Sequence, residues 1–150
     1  MVSLSLDNSL VQTYIFHSSI LARNLLFAAF LTIRSRVKKS VFANPEDAAA
    51  NKGKVKFDDE DVERARRAHL NALENIPLFW ILGALYLTTD PVAAWATLLF
   101  RVYSLGRILH TLVYVVMPLP QPSRAIAYLI PVVITSYMGL QVALYYISAM

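Results

Sequence analysis

Residues 61–77 read DVERARRAHLNALENIP, a charged helix that runs straight into an apolar one. On a wheel at ~100° per residue, Glu63, Arg64, Arg67, Asn71 and Glu74 fall within about a third of a turn of one another. They form a stripe of cations, an amide and carboxylates. No loop ends the stripe, because residues 76–87 follow and are almost wholly apolar. A charge at the edge of a hydrocarbon layer costs roughly 2.5–3.5 kcal/mol on insertion scales, so it needs a partner or a ligand. The plainer reading is a solvated helix face at a membrane surface. Against it stand Asn71 and Glu74, which lie within a turn of the apolar run.

Composition agrees with a membrane setting. Hydrophobic residues make up 57% of the 150 and charged ones 16%, where a soluble domain carries about a quarter charged. The length suits one domain over residues 1–150. Ten of the fourteen Lys and Arg lie between Arg34 and Arg67, beside most of the acids. The +4 balance therefore belongs to a membrane-flanking loop, and no stacking pattern makes it a nucleic-acid face. Without cysteine there is no disulfide, thiolate metal site or protein thiol nucleophile. A reactive thiol would have to come from a bound small molecule.

The expected fold is an all-α membrane protein, a four-transmembrane-helix bundle. Its spans are about 10–33, 75–89 (in a helix that begins near Asp61), 93–116 and 125–148. Residues 1–8 are a short polar start, without the cationic region or cleavage site of a removed signal peptide. Arg23 interrupts the first span and should face a neighbouring helix or subunit, unless it is a functional charge. Residues 34–62 form a cytoplasmic connection, since RSRVKK directly after a span marks that side. Lys38 and Lys39 fit a topology signal alone, whereas Arg36 is placed to reach a ligand too. Asn44-Pro45-Glu46-Asp47 suits a turn followed by a helix first turn.

In the third span, Arg107, His110 and Tyr114 share one face, joined by Tyr103. Their natural partner is the stripe 67–74 on the preceding helix; a buried structural network is the alternative. Residues 117–123, MPLPQPS, cannot continue a helix. Arg124 opens the fourth span, where the helix dipole disfavours a cation, so an anionic partner is expected. Tyr145 and Tyr146 read as an interfacial belt. With four spans, the proline-rich loop returns to the cytoplasmic side. Arg36, Arg67, Asn71, Glu74, Arg124, Tyr114 and His110 then converge at one end.

Arginines around one carboxylate and one amide describe a pocket for a small ligand with several anions and one cation. Guanidiniums clamp carboxylates bidentately. Glu74 suits an ammonium and Asn71 an amide, and an arginine beside a thiol favours the thiolate. Other templates fail: there is no Gly-rich phosphate loop, GxSxG or HExxH. Three scattered histidines make no metal site.

VFANPEDA at 41–48, VERARRAHLNALEN at 62–75, GRILHTLVY at 106–114 and PLPQPSRA at 118–125 together resemble the MAPEG superfamily of membrane-associated proteins in eicosanoid and glutathione metabolism. The resemblance is greatest to its microsomal glutathione transferase branch and covers about 34–128. It implies a homotrimer of four-helix subunits, with glutathione as co-substrate near the cytoplasmic face between adjacent subunits. Carried over position by position, Arg67, Asn71 and Glu74 match glutathione-binding residues of the second helix. Arg36 matches a basic residue at the end of the first helix. His110 and Tyr114 match third-helix contacts, with Arg107 nearby, and Arg124 matches the catalytic arginine that stabilises the thiolate.

The implied function is a membrane-bound glutathione transferase of detoxification, conjugating the thiolate to hydrophobic electrophiles from the lipid bilayer. Glutathione peroxidase activity on lipid hydroperoxides would accompany it. The implied location is the endoplasmic reticulum (microsomal) membrane, with the mitochondrial outer membrane as a second. Two departures weigh against the prostaglandin E synthase branch of the family. That branch has Arg where this chain has Leu70, and Ser where it has Ala125. A glutathione-dependent isomerase of that kind is the enzyme rival. A non-catalytic membrane binding or scaffold protein of the same fold is the other, and a purely structural ion-pair network would bind no glutathione.

Overall fold

A computed structural model describes residues 5–148; residues 1–4 of the polar start lie outside them. The chain is mostly helical, and four of its helices are long and apolar enough to cross a membrane. Helix α1 spans Ser9–Lys39, α2 Pro45–Ala50, α3 Glu60–Leu87, α4 Ala93–Thr111 and α5 Ser123–Ile147. A π-helical turn, Leu112–Val116, prolongs α4 to the end of the expected third span. At ~1.5 Å per residue α1 is about 46 Å long and outreaches a hydrocarbon core of about 30 Å. Its last, basic turns therefore stand clear of that core.

Local chemistry sets the ends. The Asn8 side chain accepts from the Leu10 N–H at 2.8 Å and starts α1. Ser40, at φ 52, ends it in a left-handed cap. Asp59 accepts from the Asp61 and Val62 N–H groups and starts α3. Pro45 takes the first position of α2, where its missing N–H costs nothing. The connection also holds a feature absent from the sequence reading: β1 (Val41–Phe42) pairs in parallel with β2 (Lys54–Val55), Val41 opposite Lys54. Gly53 makes this closure possible, since a Cβ there would lie 2.6 Å from the Ser40 carbonyl oxygen.

The helices meet along narrow stripes. On α1, Leu10, His17, Leu21, Asn24, Ala28 and Leu31 are buried; on α3, Ala65, Ala68, Ala72, Ile76, Phe79 and Gly83. Both sets recur at steps of three, four or seven, one face of each helix. Small residues on α3 let it close on α1, and the Tyr14 hydroxyl donates to the Trp80 carbonyl at 2.6 Å. In the core, Phe79 stacks on Tyr103 at 4.2 Å between ring centres and meets Phe100 edge-on at 5.7 Å. Gly106 seats α4 against α5: a Cβ there would lie 2.8 Å from Pro131 Cγ. The outward residues include Phe27, Phe30, Leu78, Ile81, Leu105 and Val133, all exposed. Such a belt suits hydrocarbon or another membrane-embedded surface.

Candidate functional site

The third-span face does meet the stripe on the preceding helix. Tyr103 donates its hydroxyl to the Asn75 carbonyl at 2.8 Å. One Arg107 Nη donates to Asn71 Oδ1 at 2.9 Å. Arg107 is completely buried. Asn24 of α1 supports it from behind, donating to the Arg107 carbonyl at 3.4 Å. Burial of a guanidinium is costly unless its donors are used, and Nε and the second Nη of Arg107 make no hydrogen bond within the chain.

Directly beside this pair, α3, α4 and α5 part to leave an open cleft of about 480 Å³. Helix α3 supplies Arg67, Leu70, Asn71 and Glu74 to its wall. The end of α4 and its π turn supply His110 and Tyr114, and the loop and α5 supply Gln121, Arg124, Ala125 and Tyr128. Arg67 and Glu74 are exposed, while His110 is buried. The His110 and Tyr114 rings lie 5.3 Å apart. Arg124 lies over the Tyr114 ring, its guanidinium carbon 5.4 Å from the ring centre.

No carboxylate among the described residues supplies the anionic partner expected of Arg124. Among the described residues it makes no ion pair, and its buried Nε makes no hydrogen bond within the chain. Tyr114 covers it with a π face instead of a carboxylate. Glu74 and Arg67 are likewise free of ion pairs among the described residues, which pair Asp61 with Lys39 and Arg64, and Glu63 with Arg66. The stripe therefore divides. Its loop-end part, Glu63 and Arg64, is spent on neighbours one turn away; Arg67, Asn71 and Glu74 face the cleft.

Arg36 does not join this cleft within one chain. It sits half-buried on α1, with one guanidinium nitrogen buried and without a partner. Arg23, expected against a helix or a subunit, is exposed on the outside of α1. Two cleft residues went unread in the sequence. Tyr128 lies one turn beyond Arg124 on the same face of α5, a spacing that could have shown it. Gln121 accepts from the Ala125 N–H at 3.2 Å and so caps α5; nothing in its sequence context sets it apart from its loop.

The cleft continues into a second groove between α3 and α5, where Asn75, Thr135 and Ser136 alternate with aliphatic side chains. The two share Glu74 and Tyr128, and the groove of about 310 Å³ runs along Leu78, Leu82 and Val132. The cleft with Arg67, Glu74 and Arg124 on its wall thus adjoins a groove along α3 and α5. No group of three or more His, Asp or Glu able to hold a metal occurs among the described residues.

The MAPEG family model matches residues 14–144. The chain belongs to the MAPEG family. It is 38% identical over 139 residues to mouse (Mus musculus) microsomal glutathione S-transferase 1, covering 89% of each chain. Identity to the bovine (Bos taurus) protein of that name is 40% over the same length and coverage. Prostaglandin E synthase of the horse (Equus caballus) is 37% identical over 131 residues, 86% of this chain and 84% of that one. The family thus includes both a glutathione S-transferase and a prostaglandin E synthase similar to this sequence.

Proposed function

We propose that this MAPEG protein is a membrane-bound glutathione transferase that joins the glutathione thiolate to hydrophobic electrophiles. The carrying observation is the cleft itself. Arg67, Arg124, Asn71 and Glu74 line it without ion-pair partners, beside the groove between α3 and α5. Glutathione has two carboxylates, one ammonium, two amides and a thiol, and the cleft offers a complement to each kind of group. Arg67 takes a carboxylate, Glu74 the ammonium and Asn71 an amide, held in orientation by Arg107. Arg124 faces the sulfur and favours its ionised form. The thiol proton leaves through the open mouth to water. The sulfur then bonds to the electrophilic carbon of a molecule in the groove, and that carbon's leaving group departs with its electron pair. Rate comes from orientation and from stabilisation of the thiolate charge by Arg124.

Arg36 enters this reading from a second copy of the chain. Its unsatisfied guanidinium and the exposed flank of the cleft support a site completed between subunits, as in the homotrimer the family resemblance implies. The exposed Arg23 on α1 fits the same assembly, since a mid-span charge needs cover. We read residues 1–150 as one membrane domain, in the endoplasmic reticulum or the mitochondrial outer membrane. Lipid hydroperoxides suit the groove as oxidants: two glutathione molecules would reduce one hydroperoxide to an alcohol and water, leaving the disulfide.

The isomerase reading is weakened at two positions that both line the cleft, Leu70 and Ala125. Leu70 offers no cation there and Ala125 no hydroxyl. Turnover of glutathione with a chloronitrobenzene, compared with turnover of prostaglandin H, tests the proposal. Conjugate formation with little isomer supports it; isomer as the main product overturns it.

A further inference from the structure

A second cleft, of about 450 Å³, opens at the basic end of α1, between it, the start of α3 and residues 115–118. Its chemistry is graded along one stripe. Phe27, Phe30, Leu31, Arg34 and Lys38 fall at positions i, i+3, i+4, i+7 and i+11, so they line about 16 Å of a single helix face. The lower part is aromatic and aliphatic, closed on the far side by Val115 and Val116. The upper part is cationic, and it stands where α1 leaves the hydrocarbon-length segment.

The cations there are unequal. Lys39 and Arg64 both pair with Asp61, at 2.6 and 3.0 Å. Arg34 and Lys38 make no ion pair and no side-chain hydrogen bond among the described residues. Four cations against one acid leave the rim at +3. Arg36, two residues on, points about 200° away around the helix and belongs to neither wall. A topology signal explains positive charge after a span, but it does not require a cleft or an aromatic floor beneath the charge.

We propose that this cleft binds an anionic phospholipid, with the phosphate on Arg34 and Lys38 and an acyl chain on Phe27 and Phe30. The complementarity is twofold. A phosphate satisfies two cations that the fold leaves unpaired. An acyl chain covers two exposed phenylalanines in line with it. The inference stands apart from the glutathione site, whose residues it does not use.

The test is native mass spectrometry of the full chain purified from bilayers of equimolar phosphatidylcholine and phosphatidylglycerol. Wild type should retain the anionic lipid severalfold over the neutral one. The Arg34→Gln, Lys38→Gln double variant should fall to the bilayer ratio while still binding glutathione. The charge-keeping pair Arg34→Lys, Lys38→Arg should restore enrichment, which separates lost recognition from lost folding. Excess inorganic phosphate should leave the lipid in place, because the acyl chain holds it too. Equal retention of both lipids by wild type overturns the proposal. So does displacement by phosphate alone, which marks a free-anion site. A lipid-free cleft whose Phe30 cross-links to a second copy overturns it as well.

Discussion

The Arg107 guanidinium donates to Asn71 Oδ1 across the α3–α4 contact, at 2.9 Å and in complete burial of the arginine. Among the described residues it is the one side-chain hydrogen bond that Arg107 makes, and Nε and the second Nη find no partner there. The pair thus does two things at once. It fixes the amide that faces the cleft, and it partly offsets the burial of a charge.

Asn71→Ala should therefore destabilise the fold by about 1.5–3 kcal/mol, the usual worth of a hydrogen bond to a charged group, and weaken glutathione binding. In an Arg107→Met background the stability loss should nearly vanish, since no buried charge is stranded. Thermal unfolding of the four proteins in a double-mutant cycle measures the coupling; additive losses would show that the pair is not a unit.

Glu74 and Arg124 should separate in kinetics. Glu74→Gln removes a partner for the ammonium, remote from the sulfur. It should raise the KM for glutathione about tenfold, the equivalent of 1.4 kcal/mol, with kcat little changed. Arg124→Ala should instead lower kcat. Steady-state assays with saturating electrophile tell the two patterns apart.

The contact of Gly106 with Pro131 carries the position of α5, and with it Arg124. Gly106→Ala puts a methyl 2.8 Å from Pro131 Cγ, an overpacking that costs about 1–3 kcal/mol. Its melting temperature and conjugation rate should both fall. Pro131→Ala in the same chain should recover part of each, by making room at that contact.

Lys39 and Asp61 join α1 to α3 beyond the apolar part of either helix. The hydrogen bond from Lys39 holds the Asp61 carboxyl below the usual carboxylate range, and Asp61 in turn raises Lys39. A lowered carboxyl stabilises above its unfolded value and loses that effect as pH falls through the folded one, so below about pH 4. The raised lysine contributes below about pH 10 and loses it as pH rises further. Limited proteolysis of the 40–59 connection should be slowest between those limits. Asp61→Asn should speed it at neutral pH and flatten its acid dependence; an unchanged profile would show that this pair does not hold the connection down.

Much of this arrangement is legible in the sequence because membrane burial makes polar residues informative. A run as apolar as 76–87 points to a membrane-embedded stretch, so Asn71 and Glu74 at its edge stand out. The 3.6-residue period then puts Arg107, His110 and Tyr114 on one face. Other features depend on distances between helices. Whether Arg36 and Arg124 share a wall is set by how α1 and α5 are placed, which no local pattern encodes. The pairing of Val41 with Lys54 depends on a two-residue bridge too short to leave a period. Arg124 differs again: the helix dipole asks for negative charge beside it, and within one chain its neighbour is the π face of Tyr114, a contact between α5 and the end of α4 that a helical wheel of α5 alone does not contain.

On the proposed mechanism, Arg124 holds glutathione as a thiolate in this cleft. Ultraviolet difference spectroscopy reads that directly, on the purified protein near neutral pH as glutathione is added. The account expects a saturable thiolate absorbance in wild type that is lost in Arg124→Ala, with binding itself retained. Thiolate absorbance of the same size in Arg124→Ala, or none in a wild type that binds glutathione, would contradict it.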